Sequence, residues 1–175
     1  MKRYILAVAA LFFVSFVSAQ GVKTQLTPSS SAVFPSQPEK KEQGPVTQYT
    51  LVNKDSSILY TVAVVDLEAT NGLTADVLAM AMADPSFWDQ AEGGLMGSMG
   101  ADAKKVKREI RKINGKEALY MEVERMEDGK KSLVSAMILI EGKNSINLVH
   151  RDRTAGDPNK DKFFASIEMA EAAKQ

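Results

Sequence analysis

Cysteine is absent from all 175 residues, and histidine occurs once, as His150. The first absence excludes a thiol nucleophile and any disulfide, and the second excludes a histidine-rich zinc site. An excess of charge of either sign is lacking too, because 22 basic side chains face 22 acidic ones. That balance offers no basic footprint for nucleic acid. After Val17 no apolar run approaches the roughly twenty residues that a spanning helix needs. Stability must come from a hydrophobic core, since no cross-link is available.

What is present begins with an address. Lys2 and Arg3 precede an apolar run over residues 4–17, and Val17-Ser18-Ala19 supplies small residues where a signal peptidase reads. Residues 1–19 are therefore read as a cleavable signal peptide. The chain is expected to be exported, periplasmic or secreted, with no membrane span after cleavage. Losing Lys2 and Arg3 leaves twenty basic side chains against twenty-two acidic ones. Residues 20–45 are rich in Ser, Pro, Gln, Thr and Lys without strand or helix period, and read as a flexible polar leader. Residues 46–175 suffice for a single domain with a real core.

Residues 46–52 and 58–67 are β-branched and aromatic, with a turn between them. Asn114-Gly115 is a two-residue hairpin signal, since both positions favour positive φ. That turn sets Ile110 opposite Leu119, Val106 opposite Val123, Lys107 opposite Glu122 and Lys105 opposite Glu124. Asp128-Gly129 repeats the device and pairs Val123 with Val134, Met121 with Ala136 and Leu119 with Ile138. The strand over 133–140 is apolar on both faces, as a central strand is. Beyond it, Ile146, Leu148 and His150 fall on the face of Tyr120, Met137 and Leu139.

Thr74 can cap a helix whose buried stripe would be Val77, Met80 and Ala81. Asp84-Pro85 restarts it, with Trp88, Ala91, Leu95 and Met99 at helical spacing. Gly93, Gly94 and Gly97 either let this helix lie close on the sheet or end it early in a loop. Asp157-Pro158 starts a last helix whose inner face would be Phe163, Ile167 and Ala170. The fold class expected is α+β: an antiparallel sheet with helices on both faces, in the order β-β-α-β-β-β-β-α.

The chemistry is sparse. A Ser-His-Asp hydrolase would have to use His150, and no serine has a nucleophile-elbow context. Asp157, Asn159, Asp161 and Glu168 have calcium-loop spacing, but Lys162 stands where the loop needs glycine. Met80, Met82, Met96 and Met99 could offer thioethers to Cu(I), although methionine at helical spacing usually fills gaps in a core. No cofactor is called for. Tyr120, Met137 and His150, with Arg108 pointing off its strand, are the candidates for binding a small ligand or a protein partner.

Residues 60–67 (YTVAVVDL), the helix through Trp88, residues 113–120 (INGKEALY) and residues 162–167 (KFFASI) together resemble the PsbP-like (Mog1/PsbP) family of α-β-α sandwich domains. The resemblance runs from about Tyr49 to Met169. It implies a non-enzymatic binding or assembly factor. The reading that follows is an exported, non-catalytic binding or accessory domain. The alternatives are a metal-binding protein and a hydrolase built on His150.

Overall fold

Alternating apolar residues separated by Asn-Gly and Asp-Gly turns build the centre of the molecule. A computed structural model describes residues 21–154 and 156–169; the expected signal peptide and Ala170 lie outside the described residues. Five strands precede the helices: β1 (Val22–Thr27), β2 (Ser30–Phe34), β3 (Glu39–Gln43), β4 (Val46–Val52) and β5 (Ile58–Asp66). Helices α1 (Leu67–Asn71), α2 (Ala75–Met82) and α3 (Phe87–Met99) follow. Then come β6 (Lys104–Ile113), β7 (Lys116–Glu127), β8 (Lys130–Glu141), β9 (Asn144–Asp152), α4 (Lys160–Ala165) and β10 (Glu168–Met169). The result is a mixed α+β fold dominated by antiparallel sheet. Among the described residues no helix is long and apolar enough to cross a membrane.

The large sheet has seven strands in the order β3-β4-β5-β9-β8-β7-β6, and every neighbouring pair is antiparallel. Asn114 and Gly115 both take positive φ, as do Asp128 and Gly129. The β7–β8 register matches the expected pairs Val123–Val134, Met121–Ala136 and Leu119–Ile138. The β6–β7 register matches at Ile110–Leu119 and Lys107–Glu122 and then shifts between Lys105 and Lys107. Lys105 stands opposite Val123 and Lys104 opposite Glu124, so the expected Val106–Val123 and Lys105–Glu124 pairs are corrected. A bulge inserts one unpaired residue, which hydrophobic alternation cannot reveal.

The expected leader is also corrected, because residues 22–43 carry three strands. β1 and β2 pair as a hairpin, and β10 adds to β2, forming a second sheet. Leu26, Ala32 and Phe34 are buried there. The serines that suggest a linker, Ser30 and Ser31, are buried as well, and the Ser30 hydroxyl shares a 2.8 Å hydrogen bond with that of Thr27. β3 is exposed at every position and is held by its backbone ladder to β4. A strand held that way leaves no apolar signal in the sequence.

Two apolar clusters lie on opposite faces of the large sheet. Tyr60, Val62, Tyr120, Met137, Leu139, Ile146 and Leu148 meet the small sheet and Phe163, Phe164 and Ile167. Leu119, Met121, Val123, Val134 and Ala136 meet Leu78, Trp88 and Met99 from α2 and α3. The buried residue of α2 is Leu78, not Val77 or Met80; Met80 is 77% exposed. α4 stops at Ala165, so Ile167 is buried from the following loop.

α3 runs unbroken through Gly93, Gly94 and Gly97, and a Cβ on any of them would meet nothing within 4 Å. Neither close approach nor early termination explains them. Gly94→Ala is therefore expected to stabilise the fold by about 0.5–1 kcal/mol, read as a raised urea midpoint at unchanged slope.

Candidate functional site

His150 sits near the end of β9 with no exposed surface, next to Ser135 of β8 and Tyr60 of β5 in the strand register. Strand alternation turns it inward with Leu148 and Ile146, so a titratable ring enters an apolar layer. Its Nε2 lies 2.8 Å from Asp157 Oδ2. Tyr60 Oη donates to the same oxygen. Asp157 Oδ1 accepts from the Asn159 amide at 3.0 Å. The Tyr60 ring lies tilted by 58° against His150 at 5.0 Å and meets Phe163 edge-on at 5.2 Å.

Asp157 reaches this place because the chain behind β9 is tied down. Asp152 accepts from the amides of Thr154, Gly156 and Asp157 and from the Thr154 hydroxyl. Burial opposes its ionisation, but these four donors prevail and bring its pKa down to about 2. The tight loop then delivers Asp157 under α4. The sequence suggests Asp157 as a helix cap. Instead Asn159 occupies the cap position, and the second oxygen of Asp157 turns inward to Tyr60 and His150.

Burial depresses the pKa of His150 below its ordinary 6.5, against the opposing pull of Asp157. Burial also works against ionised Asp157, but the bonds from Tyr60, the Asn159 amide and His150 hold its carboxyl below the usual range. The Tyr60 hydroxyl is pushed up by burial and by Asp157. A neutral imidazole thus donates to a carboxylate, leaving Nδ1 as a buried acceptor without a hydrogen-bond partner among the described residues.

The pH dependence follows from these directions. Below pH 6.5 the unfolded chain protonates its histidine while the native chain resists, so stability falls as pH drops through that window. Asp157 and Asp152 add a further loss as pH falls from the ordinary carboxylate range toward 2. Chemical denaturation from pH 7.5 to 5 should show this slope. His150→Gln, which keeps a neutral donor, should flatten it.

Around the cluster, Tyr120 Oη donates to Glu122 Oε1 at 2.7 Å, and Lys160 Nζ reaches that oxygen at 2.9 Å. Burial and the Glu122 bond push the Tyr120 phenol up to about 12. The Arg111 guanidinium lies 3.3 Å above the Tyr120 ring. Tyr120, Met137 and His150 share one sheet face, as expected, but all three are sealed beneath Phe163, Phe164 and the small sheet. Arg108 lies on the other face, opposite Met121, and pairs with Asp89 at 2.5 Å and Glu92 at 2.7 Å on α3. The four candidates are therefore not brought together.

The calcium spacing does not converge either. Asp157 is engaged with Tyr60 and His150, Asp161 is exposed on α4, and Glu168 pairs with Lys23 at 2.5 Å. Among the methionines, Met80 points into solvent, while Met82, Met96 and Met99 pack on the core under α2 and α3. The serine opposite His150 in the strand register is Ser135, which has no exposed surface.

Surface access comes through Tyr60 and Asp157. They floor a groove of about 330 Å³ walled by Pro35, Leu51, Asn53, Ile58 and Asn159. A second groove, lined by Gly21, Val33, Phe34 and Phe163, continues past Pro35 and Asn159. Sequence reasoning missed Tyr60 and the inward role of Asp157. The available signals were a phenol within an apolar strand and an aspartate seven residues beyond the lone histidine.

No family model matches the chain, and no curated protein matches it. Among solved structures it is similar to PA94, a Pseudomonas aeruginosa protein of unknown function. The TM-score is 0.48 at 11% identity, over 83% of this chain and 91% of that one. A Bacteroides thetaiotaomicron protein aligns at TM-score 0.47 and 16% identity over 89% of this chain, which spans 51% of that protein. Cyanobacterial PsbP (CyanoP) from Synechocystis sp. PCC 6803 aligns at TM-score 0.51 and 13% identity, over 89% of this chain and 95% of that one. At that identity the likeness to CyanoP concerns the fold alone, and there it agrees with the PsbP-like arrangement that the sequence suggests.

Proposed function

We propose that this chain is an exported, soluble, non-catalytic binding or accessory domain that engages a small ligand or a partner segment in the groove over Tyr60 and Asp157. The observation that carries this reading is a rigid polar floor beneath apolar walls. Asp157 is fixed by three donors, and Leu51, Ile58 and Pro35 stand around it. Binding pockets combine apolar walls with a few fixed polar groups in this way. The finer sandwich architecture, with helical cover on both sheet faces, and the PsbP-like assignment belong to the same reading. The sealed Ser135–His150 pair supports a structural and not a catalytic histidine.

A fragment library screened by amide NMR tests the site. Saturable shifts confined to Ser36, Asn53, Ile58 and Asn159 are expected. Shifts scattered over the surface, or none, would overturn the assignment. Expression of the full chain in a Gram-negative host tests export. A periplasmic product starting near Gln20 is expected, and a full-length membrane-retained product would refute the signal reading.

A further inference from the structure

On the opposite sheet face from His150, three arginines converge on one carboxylate. Arg125 stands near the end of β7, Arg151 near the end of β9 and Arg153 just beyond it. The Glu127 side chain, 7% exposed, lies among them. Arg153 holds its Oε2 with a two-pronged grip, Nε at 3.0 Å and Nη2 at 2.7 Å. Arg151 Nη1 is 3.4 Å from the same oxygen. Arg125 Nη2 forms an ion pair with Oε1 at 2.5 Å, and that oxygen has no hydrogen-bond partner among the described residues. Burial opposes ionisation of Glu127, yet the bond from Arg153 and the nearby Arg125 and Arg151 charges keep its carboxyl below the usual range.

In the buried part of the cluster positive charge exceeds negative, since among the described residues Glu127 is the one buried carboxylate paired with the three guanidiniums. Three guanidiniums remain charged at any accessible pH. Against them stand Glu127 and, 3.4 Å from Arg153, the exposed Asp128. Asp102 lies at the rim, where it accepts from the Met126 amide at 2.9 Å. The remaining contacts of the cluster are long: Arg151 to the Ser56 carbonyl and Arg125 to the Met99 carbonyl, each at 3.5 Å. The Nε groups of Arg125 and Arg151 are buried and have no hydrogen-bond partner among the described residues. Desolvated donors left unpaired are costly, and parallel guanidinium donors suit an acceptor with two or more anionic oxygens.

We propose that Arg125, Arg151 and Arg153 form an oxyanion-binding site, taking a phosphate, sulfate or carboxylate group carried on a small ligand. Glu127 holds the three side chains in place and tempers their mutual repulsion. The anion engages the solvent-facing ends of the Arg125 and Arg151 guanidiniums, whose side chains are 32% and 22% exposed, and draws their buried Nε groups toward it. Leu59 stands opposite Arg151 in the register and is half-buried, so the sheet surface beside the cluster can carry the body of such a ligand. The site is separate from the groove over Asp157, because Arg151 faces away from His150 and Asp152 along the same strand.

The test is titration of the ¹⁵N-labelled protein with inorganic phosphate at constant ionic strength, reading the arginine Nε–H resonances. An acetate titration runs in parallel. Saturable shifts of Arg125 and Arg151, with Arg111 as an unmoved control, are the expected result. A response to phosphate alone assigns a tetrahedral oxyanion, and a response to both extends the site to carboxylates. Arg153→Lys keeps the charge but loses the fork, and should weaken binding about tenfold. Linear, unsaturable shifts, or shifts shared equally by Arg111, would overturn the proposal. The wild-type titration decides the matter even if a variant fails to fold.

Discussion

Replacing Asp157 by alanine should destabilise the protein by about 3–5 kcal/mol, the cost of breaking a buried hydrogen-bonded charge cluster. Removal leaves the Tyr60 hydroxyl and the His150 Nε2–H without their acceptor inside an apolar layer. Each orphaned buried donor costs about 1–3 kcal/mol. It also frees the Asn159 amide at the start of α4. Urea titration at pH 7 of the wild type, Asp157→Ala, Tyr60→Phe and the double variant measures this. Tyr60→Phe deletes a donor without orphaning the carboxylate, so it should cost much less. The coupling in the cycle should exceed about 0.5 kcal/mol, since the groups touch. A loss below about 1 kcal/mol for Asp157→Ala would mean that water reaches the cluster freely. The proposed groove floor would then not be rigid.

Phe163→Ala should cost a similar amount, about 3–5 kcal/mol, by a different route. Its ring is buried and lies 5.3 Å from Phe34, 5.2 Å from Tyr60 and 5.4 Å from Phe164. It joins the large sheet, the small sheet and α4. Phe163→Leu keeps most of the volume and should retain the fold with a smaller loss. Hydrogen exchange distinguishes local from global effects. In the alanine variant the amides of β1 and β2 should lose protection before those of β7 and β8, because the small sheet docks through Phe34. Uniform loss across both sheets would contradict that order.

The strands around Asn114-Gly115 and Asp128-Gly129 were legible because turn chemistry and side-chain alternation agree there. Two residues of positive φ fix each register, and apolar residues of neighbouring strands then face one another across it. The legibility ends where a signal is carried by the backbone alone. β3 buries nothing and is held by its ladder to β4, and Val106 slips out of register by a bulge. It ends again where one residue type has two uses. Asp157 before Pro158 is the pattern of a helix cap, and only the folded chain shows that its second oxygen serves Tyr60 and His150. Likewise Lys107 opposes Glu122 in the register, yet its ammonium lies 2.8 Å from Glu109 while Lys160 takes Glu122. Long side chains choose among several near partners, and strand register alone does not decide between them.

The two outer strands of the large sheet bear on how the protein behaves when crowded. β6 is ten residues long, and among the described residues one side of its backbone has no strand beside it in the sheet. Such an edge is a template on which a second chain can grow as a further strand. Here it reads KKVKREIRKI, and the opposite edge, β3, reads EKKEQ. A visiting strand would have to bury lysines and arginines against its own backbone, and the bulge at Val106 spoils the straight run that pairing requires. Charge at these borders therefore keeps the sheet from propagating between molecules. Neutralising Lys105, Lys107 and Arg108 together would hand β6 a surface suited to fibrous self-association while leaving the core untouched.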